Sequence, residues 1–495
     1  MRTHQWSLRE SLKRRCKALA YAAAVFLLLL SAYFLYRFNI DRPVDYVQDD
    51  EHFKYGSTGG ERVAGIPYWI WKALPELFPE YLPGKGYASL GFIYEPGRDL
   101  PVGVSKRNVM GIDRVFLNCG VCHVGTVRET PRSEPTVIVG MPANRFDLGK
   151  FQQFLFNSVT DEKFTPERIL LEIDHIGGDL DLINRIALQY YGINRMREQL
   201  LMLRHRFRFV NREPEFGPGR TDTFNPAKVL LNFPMEKLPK REWIGLVDFP
   251  SVWLQGPRKG MQLHWDGNNN SVEERNKSAA FGTGTTPPTI DLRRIARIEK
   301  WLLTKNPPRF PFPINKTRAS KGEKLYRKYC ADCHGQSGRD FEGSQVGKVV
   351  PIEDIGTDRH RLDSYTHTLS VNQSTLYAGY PWRFKHFQKT FGYANMPLDG
   401  VWLRAPYLHN GSVPTLRDLL EPVRKRPKEF YRGYDVYDQR LVGFVSTVAE
   451  EQGRKYFRFD TRLPGNGNQG HEGPDYGTTL TPLEKDDIVE YLKTF

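Results

Sequence analysis

Cys119-Gly-Val-Cys122-His123 and Cys330-Ala-Asp-Cys333-His334 are two copies of one pattern, Cys-x-x-Cys-His, and they use four of the chain's five cysteines. This is the pattern of covalent c-type haem attachment. Two thiols at this spacing add across the two vinyl groups of one porphyrin, and the adjacent histidine is then held against the iron as its proximal ligand. Chance supplies one such match in a chain of this length about once in a thousand sequences, and two about once in a million. A thioredoxin-like redox pair leaves both the histidine and the repetition unexplained. A shared four-thiolate zinc site needs two distant pairs to meet. The expectation is two haem c groups, held by Cys119, Cys122, Cys330 and Cys333, with His123 and His334 as proximal ligands.

Outward from these motifs, 495 residues suggest two to four domains. A composition 40% hydrophobic and 26% charged excludes a mainly disordered chain. The net charge of +14 is concentrated at the start, where residues 1–17 hold Arg2, Arg9, Lys13, Arg14, Arg15 and Lys17 against Glu10. The remaining excess is spread thinly and nucleic acid is not an expected partner. Cys16 follows Arg14-Arg15, and with the other four cysteines taken by haem it has no disulfide partner.

Ala18 to Tyr36 carries no charge. At about 1.5 Å per residue it spans about 28 Å, one hydrocarbon core. The basic segment 1–17 is expected to stay cytoplasmic and the chain after Arg37 to lie outside. A cleaved signal peptide would place its small-residue site after the leucine core. Here Ala22-Ala-Ala24 precedes that core, and Tyr33, Phe34 and Tyr36 follow it. Residues 18–37 therefore read as an uncleaved transmembrane signal-anchor. The expected location is the inner membrane, single-pass, with the haem domains in the periplasm.

Asn306-Pro-Pro-Arg-Phe-Pro-Phe-Pro313 cannot continue a helix and separates residues 45–305, with the first haem motif, from residues 314–495, with the second. Ser320-Lys-Gly-Glu323 predicts a capped helix that delivers its last turn onto Cys330, and Thr481-Pro-Leu-Glu484 predicts a capped final helix. No period-2 alternation is sustained, so strands should be few. The expected fold is mainly α: two cytochrome c-like haem domains with long loops and insertions, preceded by one transmembrane helix.

Function turns on the sixth ligand of each iron. A strong protein ligand makes an electron carrier, and an open position binds a small molecule. For the second haem, Met396, His409 and His471 are candidates, and spacing alone does not choose among them. For the first, His175 and His205 read as surface residues and Met141 follows His123 closely for a ligand, so an open position is expected.

Three segments carry a family resemblance. They are Phe249-Pro-Ser-Val-Trp253 with His264-Trp-Asp-Gly-Asn-Asn-Asn-Ser-Val-Glu-Glu274, then Arg404-Ala-Pro-Tyr-Leu-His-Asn-Gly-Ser-Val-Pro-Thr-Leu416, then Gly470-His471 through Gly477 to Leu492. With two haem motifs, the chain resembles the bacterial dihaem cytochrome c peroxidase superfamily, and within it the rubber-oxygenase-like branch. The resemblance implies that His471 stands where the second haem's axial ligand lies, that Trp265 relays electrons between the haems, and that His409 is structural. It also implies Ca2+ between the domains, although Arg404 replaces the usual threonine. The peroxidases carry a glutamine ten residues beyond the relay tryptophan and a glutamate ten further on. Here Arg275 stands at the first position and the glutamate has no match, which weakens a peroxidase reading.

The expected function is that of a dihaem c-type oxidoreductase. Its first haem takes O2 or a related small oxidant, with Trp265 and Arg275 as the catalytic candidates, and it oxidises or cleaves an apolar substrate. A dihaem peroxidase using H2O2 and a non-catalytic electron-transfer cytochrome are the alternatives. Expected partners are the inner membrane and a redox partner protein or quinol-linked donor.

Overall fold

The uncharged run lies inside one helix, α1 (Arg2–Phe38), in the computed structural model. Described residues are 2–495, with side chains from residue 10 onward. Met1 and the side chains of residues 2–9, including Arg2 and Arg9 of the basic segment, lie outside the described residues. Within α1, Glu10–Phe38 is long and apolar enough to cross a membrane, and none of the described residues covers its apolar window; only its last turn, at Arg37, is buried. A signal sequence shares these traits.

The chain leaves α1 directly into a sheet. Strands β1 (Asp41–Pro43), β2 (Ile66–Pro67), β3 (Val104–Val109) and β4 (Ile112–Leu117) form an antiparallel sheet in the order β1-β3-β4-β2. Met110 and Gly111, both with positive φ, make the tight turn between β3 and β4. Val104, Val115 and Leu117 pack from this sheet into a core with Trp71, Phe78 and Phe154. The expectation of a mainly α chain is thus corrected to a mixture of helix and sheet. Most strands are two to four residues long, too short to show alternation in sequence.

Beyond β4 come α2 (Gly120–His123) and, after the helices Leu148–Thr160 and Pro166–His175, α3 (Leu182–Ala187). Through a π-turn at Leu188–Gly192, α3 continues into α4 (Ile193–Arg206). Next is α5 (Val272–Gly282), opened by Ser271, whose side chain accepts from the Glu274 N–H. After the proline-rich connector, α6 (Lys316–Tyr329) leads into α7 (Ala331–His334), and α8 (Pro482–Leu492) ends the chain. The box at Thr481 and Glu484 forms as predicted. The one at Ser320 does not: α6 opens one turn earlier, capped by Asn315, whose side chain accepts from the Arg318 N–H. Asparagine caps as well as serine, and it comes first after Pro313.

α6 and α8 cross at Gly322, where a Cβ would meet the backbone oxygen of Asp487 at 1.8 Å. Only glycine lets the helices approach this closely. Tyr326 fills the crossing, with ring centroids 5.3 Å from Tyr491 and 5.0 Å from Phe495. The stretches 45–305 and 314–495 are stitched together. Val127, Met141 and Trp253 lie in the core of the second. Arg432 pairs with buried Asp248 through two hydrogen bonds of 3.0 and 2.9 Å, and Asp435 accepts from Thr126 and Arg128.

Candidate haem sites and the cavity between them

The first motif is held from both sides. Buried Asn118 receives the Gly120 N–H at 2.9 Å and donates to the carbonyls of Lys54 and Gly56. Gly103 presses on Val121, where a Cβ would come within 2.3 Å of backbone atoms. The Nδ1 of His123 lies 2.8 Å from the carbonyl oxygen of Pro250. A carbonyl only accepts, so Nδ1 carries the proton and Nε2 keeps its lone pair for a metal.

The second motif repeats this logic on a helical frame. α6 ends on Cys330, whose N–H reaches the Tyr326 carbonyl. The Tyr326 hydroxyl ties down the Gly335 carbonyl at 2.9 Å. His334 Nδ1 lies 2.8 Å from the carbonyl oxygen of Met396, which fixes the same tautomer. The four motif cysteines form no disulfide. Burial pushes the thiol of Cys119 up to about 11 and that of Cys330 up to about 12, and raises Cys122 and Cys333 as well. Half-buried thiols free of disulfides, beside a histidine of fixed tautomer, suit covalent haem attachment.

His471 faces the second motif. Its ring centroid lies 6.2 Å from that of His334, about what two metal–nitrogen bonds of about 2 Å each and two ring radii add up to. The backbone holds it there. The His471 N–H reaches the Ile355 carbonyl at 2.8 Å, and Arg426 donates to the carbonyls of Asn468, Gly470 and His471. His471 Nδ1 is buried without a hydrogen-bond partner. Burial, then the nearby His334 and Arg426, push its imidazole down to about 3, so it stays neutral. Among the described residues, His123 makes no such ring contact with another imidazole.

Between the motifs lies a cavity of about 50 Å3. Its wall includes Pro250 and Met396, the two residues whose carbonyls receive the proximal histidines, and also Trp265, Arg275, His264 and Arg404. Trp265 is fixed by its Nε1–H to the Asp248 carbonyl at 3.0 Å and by its own carbonyl, which accepts from Ala394. The Arg275 guanidinium makes no hydrogen bond or ion pair with any described residue; only its backbone is bonded, to Ser271 and Ser278. Burial, then the positive charge of Arg258, bring its guanidinium down to about 10, still protonated at neutral pH. Burial depresses His123 and His264, and the Arg275 charge adds to it in both, at His123 against the opposing hydrogen bond to Pro250.

The other candidates fall elsewhere. Met396 contributes its carbonyl to His334. His409 is buried against Tyr393, with rings stacked at 4.1 Å and Nε2 3.0 Å from the tyrosine hydroxyl. Met141 is wholly buried in the second core, and His175 and His205 are exposed. At the segment where the resemblance implies Ca2+, Arg404 donates to the carbonyls of Pro397 and Asp399 and pairs with the Asp399 carboxylate, which also binds Arg258. The chain itself supplies the cation there, and this donor set does not fit a metal. Sequence reasoning named His264 without giving it a role and missed Pro250 and Met396 as acceptors. Backbone carbonyls leave no mark in a sequence, and only the Trp265-Asp-Gly267 context pointed to His264.

Two Cys-x-x-Cys-His motifs, each with its histidine held in one tautomer, fit the attachment of haem c. The sequence profile described as RoxA-like, cytochrome c-like matches residues 392–432, the stretch that holds Met396, Arg404 and His409. The uncharacterized protein y4iM of Sinorhizobium fredii is 31% identical over 294 residues, covering 50% of this chain and 64% of that protein. The chain thus spans less than two thirds of that relative's length. The uncharacterized protein y4iJ of the same organism is 25% identical over 524 residues, covering 84% of this chain and 85% of that protein. A cytochrome c-like domain is present, and it implies covalently bound haem c and an oxidoreductase of the c-type cytochrome class.

Proposed function

We propose that this protein is a membrane-anchored, periplasmic dihaem c-type oxidoreductase, with one haem on Cys119, Cys122 and His123 and a second on Cys330 and Cys333 between His334 and His471. The observation that carries this reading is the difference between the motifs: an imidazole stands opposite His334, and among the described residues none stands in the same relation to His123. When bound, the haems supply an exchangeable site for O2 or a related small oxidant at the first motif and electron storage at the second.

The chain's own residues do the rest. Pro250 and Met396 hold the protons of the proximal histidines and set their orientation. Trp265 bridges the space between the motifs and is the proposed electron relay. Arg275 offers fixed N–H donors and positive charge, and it cannot serve as a base because it remains protonated. Heterolytic O–O cleavage needs a positioned acid/base group, so Arg275 at this position favours an oxygenase-like reaction on an apolar substrate over peroxidase turnover. A redox partner protein or quinol-linked donor would supply electrons. The test is to mix reduced protein with CO and then to assay H2O2 turnover with a reduced donor. A CO shift of one haem with slow peroxide turnover is expected. No CO shift would favour an electron carrier, and fast turnover a peroxidase.

A further inference from the structure

The helical run that starts at α3 carries an apolar stripe that no described residue covers. Leu182, Ile186 and Tyr190 are 72%, 48% and 73% exposed, and Tyr191 beside them is 69% exposed. Spaced by four residues, the first three lie one above the other on one helix face. Single exposed apolar residues need no explanation, but a row of large ones marks a surface that meets something.

Its place in the fold says what. Arg37, in the last turn of α1, is buried among residues of the folded body. Its guanidinium hydrogen-bonds to the Asn184 side chain, lies 3.9 Å from Asp181 and donates to Tyr33. Asn184 also donates to the Gly111 carbonyl at 3.2 Å. A Cβ on Gly111 would lie 2.8 Å from the Arg37 guanidinium carbon. The end of α1, the β3–β4 turn and the first turn of α3 are therefore locked together. Met110, at the tip of that turn, is itself 45% exposed. The stripe begins where the uncharged part of α1 ends, at the height at which the chain leaves a bilayer, and tyrosine is a residue of that interface. Continuity with the membrane-crossing face of α1 selects lipid as the occupant.

We propose that Leu182, Ile186, Tyr190 and Tyr191, with Met110, form a second membrane contact that lays the haem-bearing body on the outer surface of the bilayer that α1 crosses. The body then does not swing on a tether. This rests on the anchored reading of α1.

The test uses the full-length holoprotein in nanodiscs, in a Cys16→Ser background so that an added cysteine is the one free thiol. An environment-sensitive fluorophore is placed by Ile186→Cys, by Leu463→Cys as an exposed control on the body, and by Leu27→Cys inside α1. Quenching is then compared with and without lipids carrying a nitroxide, near the headgroup for positions 186 and 463 and deep in the acyl chain for position 27. The expected result is at least threefold stronger headgroup-level quenching at 186 than at 463, with 27 quenched by the deep probe. Quenching at 186 no stronger than at 463, with 27 still quenched, would overturn the membrane contact and leave the anchor standing. No quenching at 27 would overturn both. A fluorophore at 186 shielded from quencher and crosslinked to its counterpart in another copy would assign the stripe to self-association and equally overturn the proposal. The double substitution Ile186→Glu with Tyr190→Glu should raise deuterium uptake of residues 182–192 in nanodiscs, and an unchanged uptake would count against lipid contact.

Discussion

The two haem motifs share five residues of pattern and little of their surroundings. The first is packed between the β3–β4 hairpin and the short helix Asp49–Tyr55, and beside it stands Arg275, a guanidinium with no partner among the described residues. The second is delivered by α6, locked under α8, and faced by His471 at a ring separation of 6.2 Å. Both fix their proximal histidine in the same way, through Nδ1 to a backbone carbonyl at 2.8 Å. Proximal geometry is thus common to the two motifs, and the difference in chemistry comes from what stands opposite.

The largest effect expected is on haem content. Cys119→Ala with Cys122→Ala, or Cys330→Ala with Cys333→Ala, should each halve the covalent haem of the denatured protein. A wild-type value of one haem per chain would remove the comparison altogether.

The difference between the motifs is tested next by His471→Ala. It should turn one low-spin signal high-spin and leave the other haem unchanged in EPR. An unaltered spectrum, with the low-spin signal lost in Met396→Ala instead, would reassign the ligand.

The seam between the two stretches carries a pH dependence. Burial pushes buried His409 down to about 3 from an ordinary 6.5. The unfolded chain binds a proton near pH 6.5 and the folded chain does not. The stabilisation is therefore complete above pH 6.5 and is lost progressively as pH falls toward 3. Thermal melts of the holoprotein between pH 7.5 and 4.5 should show this fall, and His409→Gln should flatten it. An equal slope in the variant would place the effect on other groups.

The smallest structural change concerns the space the motifs share. Trp265→Phe should leave both haem spectra nearly intact while slowing electron redistribution between them about tenfold or more, roughly 1.4 kcal/mol of barrier. Unchanged transfer would make Trp265 a packing residue only.

How much of this was legible before the fold was known differs from residue to residue. The cysteines and histidine of each Cys-x-x-Cys-His motif stand within five residues of one another, so the pattern is local and can be read directly. The apolar run of α1 is equally local, as is the capping box at Thr481. Helix α6 was recognised but its start was misplaced, because Asn315 and Ser320 cap equally well and only the packed structure chooses. His471 was reached by resemblance and not by its own spacing.

The haem-attachment pattern and the length of the apolar run are legible in the sequence alone, because both are short runs whose residues act together wherever they are placed. Only the tertiary structure decided which groups meet at the motifs. Pro250 and Met396 come to their histidines from 127 and 62 residues away, through backbone oxygens that every residue carries. The isolation of Arg275, the use of Arg404 where a metal was expected, and the seating of α3 against the end of α1 also come from packing. Each depends on which distant charges and backbone groups the folded chain brings within reach, and a linear pattern does not record that.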